Sequence, residues 1–258
     1  MTGGTAEGTP QGAQGAVVVV AGATSASGVA AVRALRAAGA LPIAVGSDAG
    51  RLAAAFGEPG AGPHDGGVAQ RVCDLADFEA VQALAAGLRE EFGRIDGVIH
   101  LVGGWRGGKT LADQSDEDWE ALSRTSIATL RNTSRAFYDD IADSPRGRFV
   151  IVSSTLIEHP RAGYANYAAA KAAAEAWVRA MATGLASEQS ERAEGPRPQA
   201  SAAVVLAVKA LLDDATRAAH PDRRFPGYTP VAALAERVVR LFSEDAAGIN
   251  GARLDLTA

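Results

Sequence analysis

Apolar runs of strand length alternate with amphipathic stretches along almost the whole chain. Residues 17–20 are four consecutive valines, which predicts a central strand covered on both faces. Residues 26–38 carry the helical period and close at Gly39. Residues 41–45 predict strand two, 48–56 a short helix, 71–73 strand three, and 77–92 an amphipathic helix ending at Gly93. Strand four is expected at 98–102. Ser115 and Asp118 have the spacing of a capping box and open a long helix to about Ile141. Strand five is expected at 149–153, followed by the helix that carries Tyr167, and strand six at 202–208. Thr229 and Pro230 supply an N-cap residue and a first-turn proline for a helix to Phe242, and 253–256 form the last strand. Strands separated by helical crossovers predict an α/β domain with a parallel, doubly wound sheet of about seven strands and helices on both faces.

Composition narrows this picture. At 258 residues, 47% hydrophobic and 21% charged, the chain can bury a full core and reads as one domain over 16–258. Residues 1–15 are almost all small or polar and offer no apolar period, so they are expected to be a disordered tail. That start lacks the pattern of a signal peptide, and the aliphatic run 16–21 is far short of the ~20 residues of a membrane span. A soluble, cytoplasmic protein with no membrane partner is the expectation. The single cysteine, Cys73, excludes an internal disulfide and a cysteine-rich metal site, and no spacing of His or acids suggests a metal. With a net charge of −5 and scattered arginines, no basic patch for nucleic acid is expected.

Three residues carry the chemistry. Tyr167 and Lys171 are four apart, which puts phenol and ammonium on one face of their helix. Ser154 leaves the end of the apolar run of strand five, where it can be brought opposite them. A free phenol titrates near ~10, and an adjacent cation favours its ionised form. A proton donor with its activator suits reduction of a carbonyl. Taken alone, the Tyr-Lys spacing also fits an ordinary amphipathic pair. Between the first strand and its helix, the segment from Gly22 to Gly28 is placed so that a phosphate can meet free N–H groups and the positive end of the helix dipole, although an ordinary strand-helix connection would also read this way.

In this order along the chain, these motifs resemble the short-chain dehydrogenase/reductases over roughly residues 16–256. The resemblance implies a Rossmann-like fold, a small-molecule substrate, and catalysis by Ser154, Tyr167 and Lys171, with Ser126 at the relay position. It implies cofactor contacts at Gly22, Thr24, Ser25, Ala26, Ser27 and Gly28, with Ala26 standing where the family's middle glycine usually is. Further contacts fall on Gly46 and Ser47 after strand two, Asp74 and Leu75 after strand three, Val102, Gly103 and Gly104 after strand four, and on Tyr167 and Lys171. Asp74 matches the position that reads the adenine amino group, or else caps the following turn. An acid at the end of strand two would favour NAD. Gly46 stands there, with Asp48 two positions on as either a ribose acceptor or a helix cap, which implies NADP with NAD as the alternative.

The chain also departs from the common family pattern. Residues 101–108 replace the usual Asn-Asn-Ala-Gly, Ser126 replaces the relay asparagine, and Val208, Lys209 and Ala210 replace the Pro-Gly after strand six. These features are similar to the dihydropteridine-reductase-like branch, from whose animal enzyme the chain differs at Ser154 and Gly46. Tyr164 lies seven before Lys171, the spacing of enoyl reductases in the same superfamily. The leading expectation is an NAD(P)H-dependent reductase of a small or polycyclic carbonyl. The alternatives are a reductase of a quinonoid pterin-like or enoyl substrate, and a non-catalytic NAD(P)-binding regulator or scaffold.

In a doubly wound sheet the ligand lies beyond the carboxyl ends of the strands, so loops 103–111, 155–163 and 209–228 are expected to line the substrate site. Trp105, His159, Tyr164, Phe225 and Tyr228 are the substrate candidates, and 209–228 reads equally as a mobile lid or a solvated surface helix. His100 is expected to be a satisfied core histidine. Small residues at 168–170 and 172–174 let the Tyr167 helix approach a partner closely, and the resemblance implies a homodimer or homotetramer through this helix and the long one before it.

Overall fold

The computed structural model describes residues 12–57, 67–191 and 198–257. In chain order the elements are β1 (Val17–Ala21), α1 (Ala26–Ala37), β2 (Leu41–Gly46), α2 (Ala49–Phe56), β3 (Ala69–Val72), α3 (Phe78–Phe92) and β4 (Gly97–His100). There follow α4 (Asp116–Leu122), a π-helical segment (Ser123–Ala128), α5 (Thr129–Asp143), β5 (Arg148–Ser154) and α6 (Ala165–Glu191). The chain continues through β6 (Ala202–Val208), β7 (Leu211–Leu212), α7 (Asp214–Ala219), β8 (Thr229–Pro230), α8 (Val231–Leu241), α9 (Ala246–Ile249) and β9 (Arg253–Asp255).

Among the described residues, seven strands form one parallel sheet in the order β3-β2-β1-β4-β5-β6-β9. Chain direction across the sheet reverses between β1 and β4, the switch point where side loops diverge and leave a crevice. The valine run of β1 shows why the sheet is sandwiched. Val17, Val19 and Ala21 face a core completed by α3, α5 and α6, while Val18 and Val20 face one completed by α1 and α8. Alternate side chains leave opposite faces of a strand, so only a run apolar at every position can fill both layers. Each fully buried valine contributes roughly 1.5–3 kcal/mol relative to exposure.

Polar anchors fix where elements begin. Asp96 is fully buried and accepts from Val17 N at 3.0 Å, Arg94 Nε at 2.9 Å and Ser144 Oγ at 2.7 Å, tying the starts of β1, β4 and β5 together. Asp77 caps α3 by accepting from Glu79 N and Ala80 N, and Gly93 ends that helix with a φ of 76°, which a side chain would strain.

Four sequence expectations are corrected. Residues 12–15 of the expected tail are a packed turn: Ala13 is buried, Gly15 N donates to Gly39 O at 2.8 Å, and Arg146 Nη1 donates to Gly12 O and Gln14 O. Residues 1–11 lie outside the described residues. Strand four ends at His100 rather than residue 102, because its neighbour β1 ends at Ala21, where Gly22 turns the chain with a φ of 79°. The long helix from the Ser115 cap is interrupted by the π-helical segment before it reaches Asp143. Thr229 does not cap α8: its N–H donates to Ala210 O and its hydroxyl to Leu256 O, so it is held extended, and Pro230 takes the cap position.

Candidate active site

The turn from β1 into α1 builds one end of the site. Gly22 needs its positive φ, and a Cβ there would sit 3.0 Å from the Leu101 backbone. A Cβ on Gly28 would lie 2.4 Å from Gly22 O, so this glycine lets the helix close onto the turn. Ser25 caps α1, accepting from Gly28 N at 3.0 Å while donating to Gly22 O at 2.9 Å. The first-turn N–H groups of Ala26 and Ser27 precede the helical ladder and remain available to an anion. Ala26, in place of a glycine, is exposed and obstructs nothing described, and Ser27 lines the cleft beyond.

The neighbouring strand ends converge on this turn. A Cβ on Gly46 would meet Thr24 and Leu52 at ordinary contact distance, and Gly46 O accepts from Cys73 N at 2.9 Å. Asp48 accepts from Arg51 N at 2.7 Å as the cap of α2, so of its two sequence readings the capping one is observed. Asp74 accepts from Ala76 N and pairs with Arg124 at 2.6 Å, while Leu75 is buried beside it. Ser47 is exposed at the rim. A dinucleotide phosphate fits this turn: Gly22 and Gly28 let strand, turn and helix close on one another, and the unladdered N–H groups of the first turn of α1 remain available to it.

Ser154, Tyr167 and Lys171 come together on one wall of a cleft of about 890 Å³ at the switch point. Ser154 ends β5 and is buried, with its Oγ accepting from Leu156 N at 3.2 Å. Burial pushes the Tyr167 phenol above its ordinary value, and the neighbouring Ser154 hydroxyl pulls it part of the way back. The expected lowering by Lys171 is not seen. Its Nζ instead donates to Val152 O at 3.0 Å and lies 6.0 Å from the centre of the Tyr167 ring. Burial holds this ammonium at about 8, opposed by the charge of Glu175 one turn along α6.

Behind Lys171 lies a buried polar pocket. A Cβ on Gly103 would be 3.2 Å from Lys171 Nζ and 3.9 Å from Ser126 Oγ, so a glycine there keeps the two groups in reach of one space. Ser126 is in the π-helical segment, and its hydroxyl, like that of Ser153, is buried without a hydrogen-bond partner. His100 is half satisfied. The Thr129 hydroxyl donates to Thr125 O at 2.7 Å, so it accepts from His100 Nε2 at 3.2 Å, and Nδ1 is left bare. Burial first, and the Lys171 charge second, push this histidine down to about 3, so it stays neutral.

The cleft is also lined by Val102, Gly103, Gly104, Trp105, His159, Tyr164 and Tyr228. Phe225 is not in the lining: it packs edge-on against Tyr228 at 5.4 Å with Arg223 over its ring, a contact that uses its face elsewhere. Segment 209–228 carries β7, the short helix α7 and the start of the β7–β8 pair. Sequence reasoning passed over Arg161 and Lys209, which line the cleft from the loops after β5 and β6. Their places in those loops were the available signal.

A family model described as short chain dehydrogenase matches residues 16–190. Among curated proteins, the chain is 30% identical over 115 residues to nodulation protein G of Azospirillum brasilense, covering 45% of this chain and 46% of that protein. The chain thus spans about half the length of this relative. It is 28% identical to the 3-oxoacyl-(acyl-carrier-protein) reductase FabG of Vibrio harveyi, over 93% of this chain and 95% of that one. Among solved structures, a short chain dehydrogenase of Escherichia coli CFT073 complexed with NADPH superposes with a TM-score of 0.78 at 19% identity, covering 96% of this chain and 99% of that one.

Proposed function

This chain belongs to the short-chain dehydrogenase family, and from that premise we propose that it is an NADPH-dependent carbonyl reductase. The observation that carries the reading is the convergence of Ser154, Tyr167 and Lys171 on the switch-point cleft. A bound nicotinamide would supply the hydride for reduction of the carbonyl carbon. Tyr167, whose phenol stays protonated at neutral pH because it is buried, donates its proton to the carbonyl oxygen. Ser154, beside Tyr167 at the end of β5, would orient that oxygen. Lys171, with its Nζ 6.0 Å from the centre of the Tyr167 ring, would favour the phenolate as the proton leaves, and the donors not given to Val152 O would hold a cofactor hydroxyl.

NADPH is proposed over NADH because no acid ends β2 and Asp48 is committed to capping α2. Gly22, Thr24 to Gly28, Gly46, Ser47, Asp74, Leu75 and Val102 to Gly104 would hold the cofactor. Ser126, buried behind Lys171, takes the relay position. Tyr164 fits a wall better than an acid, since its ring packs against Trp105 at 5.8 Å and against Gly107, where a Cβ would come within 2.4 Å. The reading extends to a homodimer or homotetramer built on α5 and α6, supported by the exposed Trp177 beside Met181 and Tyr138.

The test is NADPH consumption against a panel of aliphatic and aromatic ketones, enones and quinonoid pterins. Wild type is expected to reduce a ketone, and Tyr167→Phe to lose about 10²- to 10⁴-fold in kcat with NADPH affinity within a few-fold. NADPH binding without turnover of any compound would favour the non-catalytic reading, and loss on Tyr164→Phe instead would favour enoyl reduction.

A further inference from the structure

The cleft carries a charge pattern opposite to that of the whole chain. The protein has a net charge of −5. Yet the described residues lining the cleft include Arg161, Lys171 and Lys209 and not one aspartate or glutamate. Lys171 is buried at the catalytic wall, whereas Arg161 and Lys209 are exposed at the mouth. Lys209 is held in place by donating to Pro226 O at 2.8 Å and by the Tyr228 ring at 5.8 Å, contacts that leave its charge uncompensated. The Arg161 guanidinium has no hydrogen bond or ion pair among the described residues, so its five donors are open to a ligand.

Beside these cations stands an aromatic wall of two rings tilted 56° to one another. Trp105 and Tyr164 meet at 5.8 Å, and the pair depends on Gly107, because any side chain there would strike the Tyr164 ring and the Trp105 ring edge. Tyr228 closes the far side. A planar body can lie against these rings, and a guanidinium fork matches a carboxylate with two parallel donors. Low-dielectric walls with charge of one sign also draw an oppositely charged ligand inward.

We propose that the substrate is an aromatic carbonyl compound bearing a carboxylate, and that Arg161 is the residue that reads the carboxylate, with Lys209 adding charge at the mouth. This rests on the carbonyl-reductase reading above. A cofactor phosphate is a second anion that these cations suit, so the experiment separates the two.

Benzoylformate and its methyl ester are the probes, with 4-carboxyacetophenone and its methyl ester as a second pair. Binding is followed by quenching of tryptophan fluorescence in the presence of NADP⁺, which requires no turnover, and reduction by NADPH consumption. At least one acid of the two pairs is expected to bind ten-fold or more tighter than its ester. Arg161→Gln should remove most of that preference, a loss of about ten-fold or more, as for a lost charge-assisted pair. Arg161→Glu should reverse it, and raised salt should weaken acid binding in wild type. NADPH affinity should stay within two-fold in both variants. Equal binding of acids and esters, or an acid preference indifferent to Arg161, overturns the proposal. So does a ten-fold loss of NADPH affinity in Arg161→Gln, which would assign the cation to the cofactor. Arg161-dependent binding of an acid with no reduction upholds the assignment of Arg161 to a carboxylate while removing the carbonyl-reductase reading and, with it, the carbonyl part of the proposal.

Discussion

Arg253, on the edge strand β9, donates from Nη2 to the backbone carbonyl of Ser154 at 3.1 Å. The same guanidinium shares Nε between both carboxylate oxygens of Glu175 at 3.1 Å and pairs with Glu158. Glu175 is 1% exposed and lies one helical turn after Lys171. One side chain therefore fixes the end of β5, the loop after it, and the stretch of α6 that presents the lysine. Removing it in Arg253→Leu leaves a buried carboxylate whose remaining neighbour, Arg179, is at 3.8 Å. Breaking such a pair typically costs about 3–5 kcal/mol. Denaturant unfolding is expected to show a loss of that size, and kcat to fall more than NADPH affinity. Arg253→Lys keeps the charge but not the fork and should lie between. A destabilised variant with wild-type kcat would confine Arg253 to a structural role.

Lys171 gives the site a signature in pH. Its ammonium is held at about 8 by burial, below its ordinary 10.5. Between those values the unfolded chain keeps the proton and the folded chain does not, so stability rises with pH from about 8 to 10.5 and the full penalty stands below 8. Lys171→Met is accordingly expected to raise Tm at pH 7, with the gain shrinking toward pH 10.5. In the wild type, kcat/KM should decline as pH rises through about 8, as the lysine loses the charge it places beneath the phenol. Glu175 raises the lysine's value, so Glu175→Gln should move this limb to lower pH. An unmoved limb would mean that another group titrates there.

Much of this was legible along the chain because strands buried on both faces write themselves as unbroken apolar runs, such as 17–20 and 202–208. The triad was legible because two of its members share one helix turn and the third ends a strand. What escaped was long-range. No local pattern announces that Arg253 reaches Ser154, 99 residues earlier in the chain. The state of Lys171 escaped too, since spacing gave its neighbour Tyr167 but not the Val152 carbonyl that takes its proton donor or the burial that lowers it. The role of Thr229 was misread because a hydroxyl before a helix suits a cap, and only the fold shows Leu256 O claiming it. Phe225 was misplaced for the same reason: an aromatic in a site loop is as free to pack on its neighbour Tyr228 as to face the cleft.

The packed turn at residues 12–15 should matter to stability. Ala13 is buried in the core layer of α1 and α8, and Arg146 spends two bonds on the carbonyls of Gly12 and Gln14. A chain beginning at Ala16 exposes apolar surface and strands the Arg146 donors. Relative to a chain beginning at Gly12, its Tm is expected to be several degrees lower in a thermal melt, about what 1–2 kcal/mol produces in a domain of this size. Identical melting curves would show that the turn rests on the domain without supporting it.

The end of β2 offers the sharpest test of cofactor choice. Gly46 is buried with an ordinary φ, and a Cβ added there meets the Leu52 and Thr24 side chains at 3.4 Å, contact without overlap. Asp48 lies two positions beyond the strand end, and its Oδ1 accepts from Arg51 N as the cap of α2. Gly46→Asp therefore places an acid at the strand end, where it would accept from a ribose 2′-hydroxyl and repel a 2′-phosphate. Titration of the variant should show NADPH binding weakened by ten-fold or more and NADH binding tightened, so that the preference inverts. Asp48→Ala should leave the preference as it is and cost about 1 kcal/mol of stability as a lost helix cap. If wild type binds NADH more tightly and Asp48→Ala abolishes that preference, Asp48 rather than the bare strand end reads the ribose, and the proposal of NADPH is wrong.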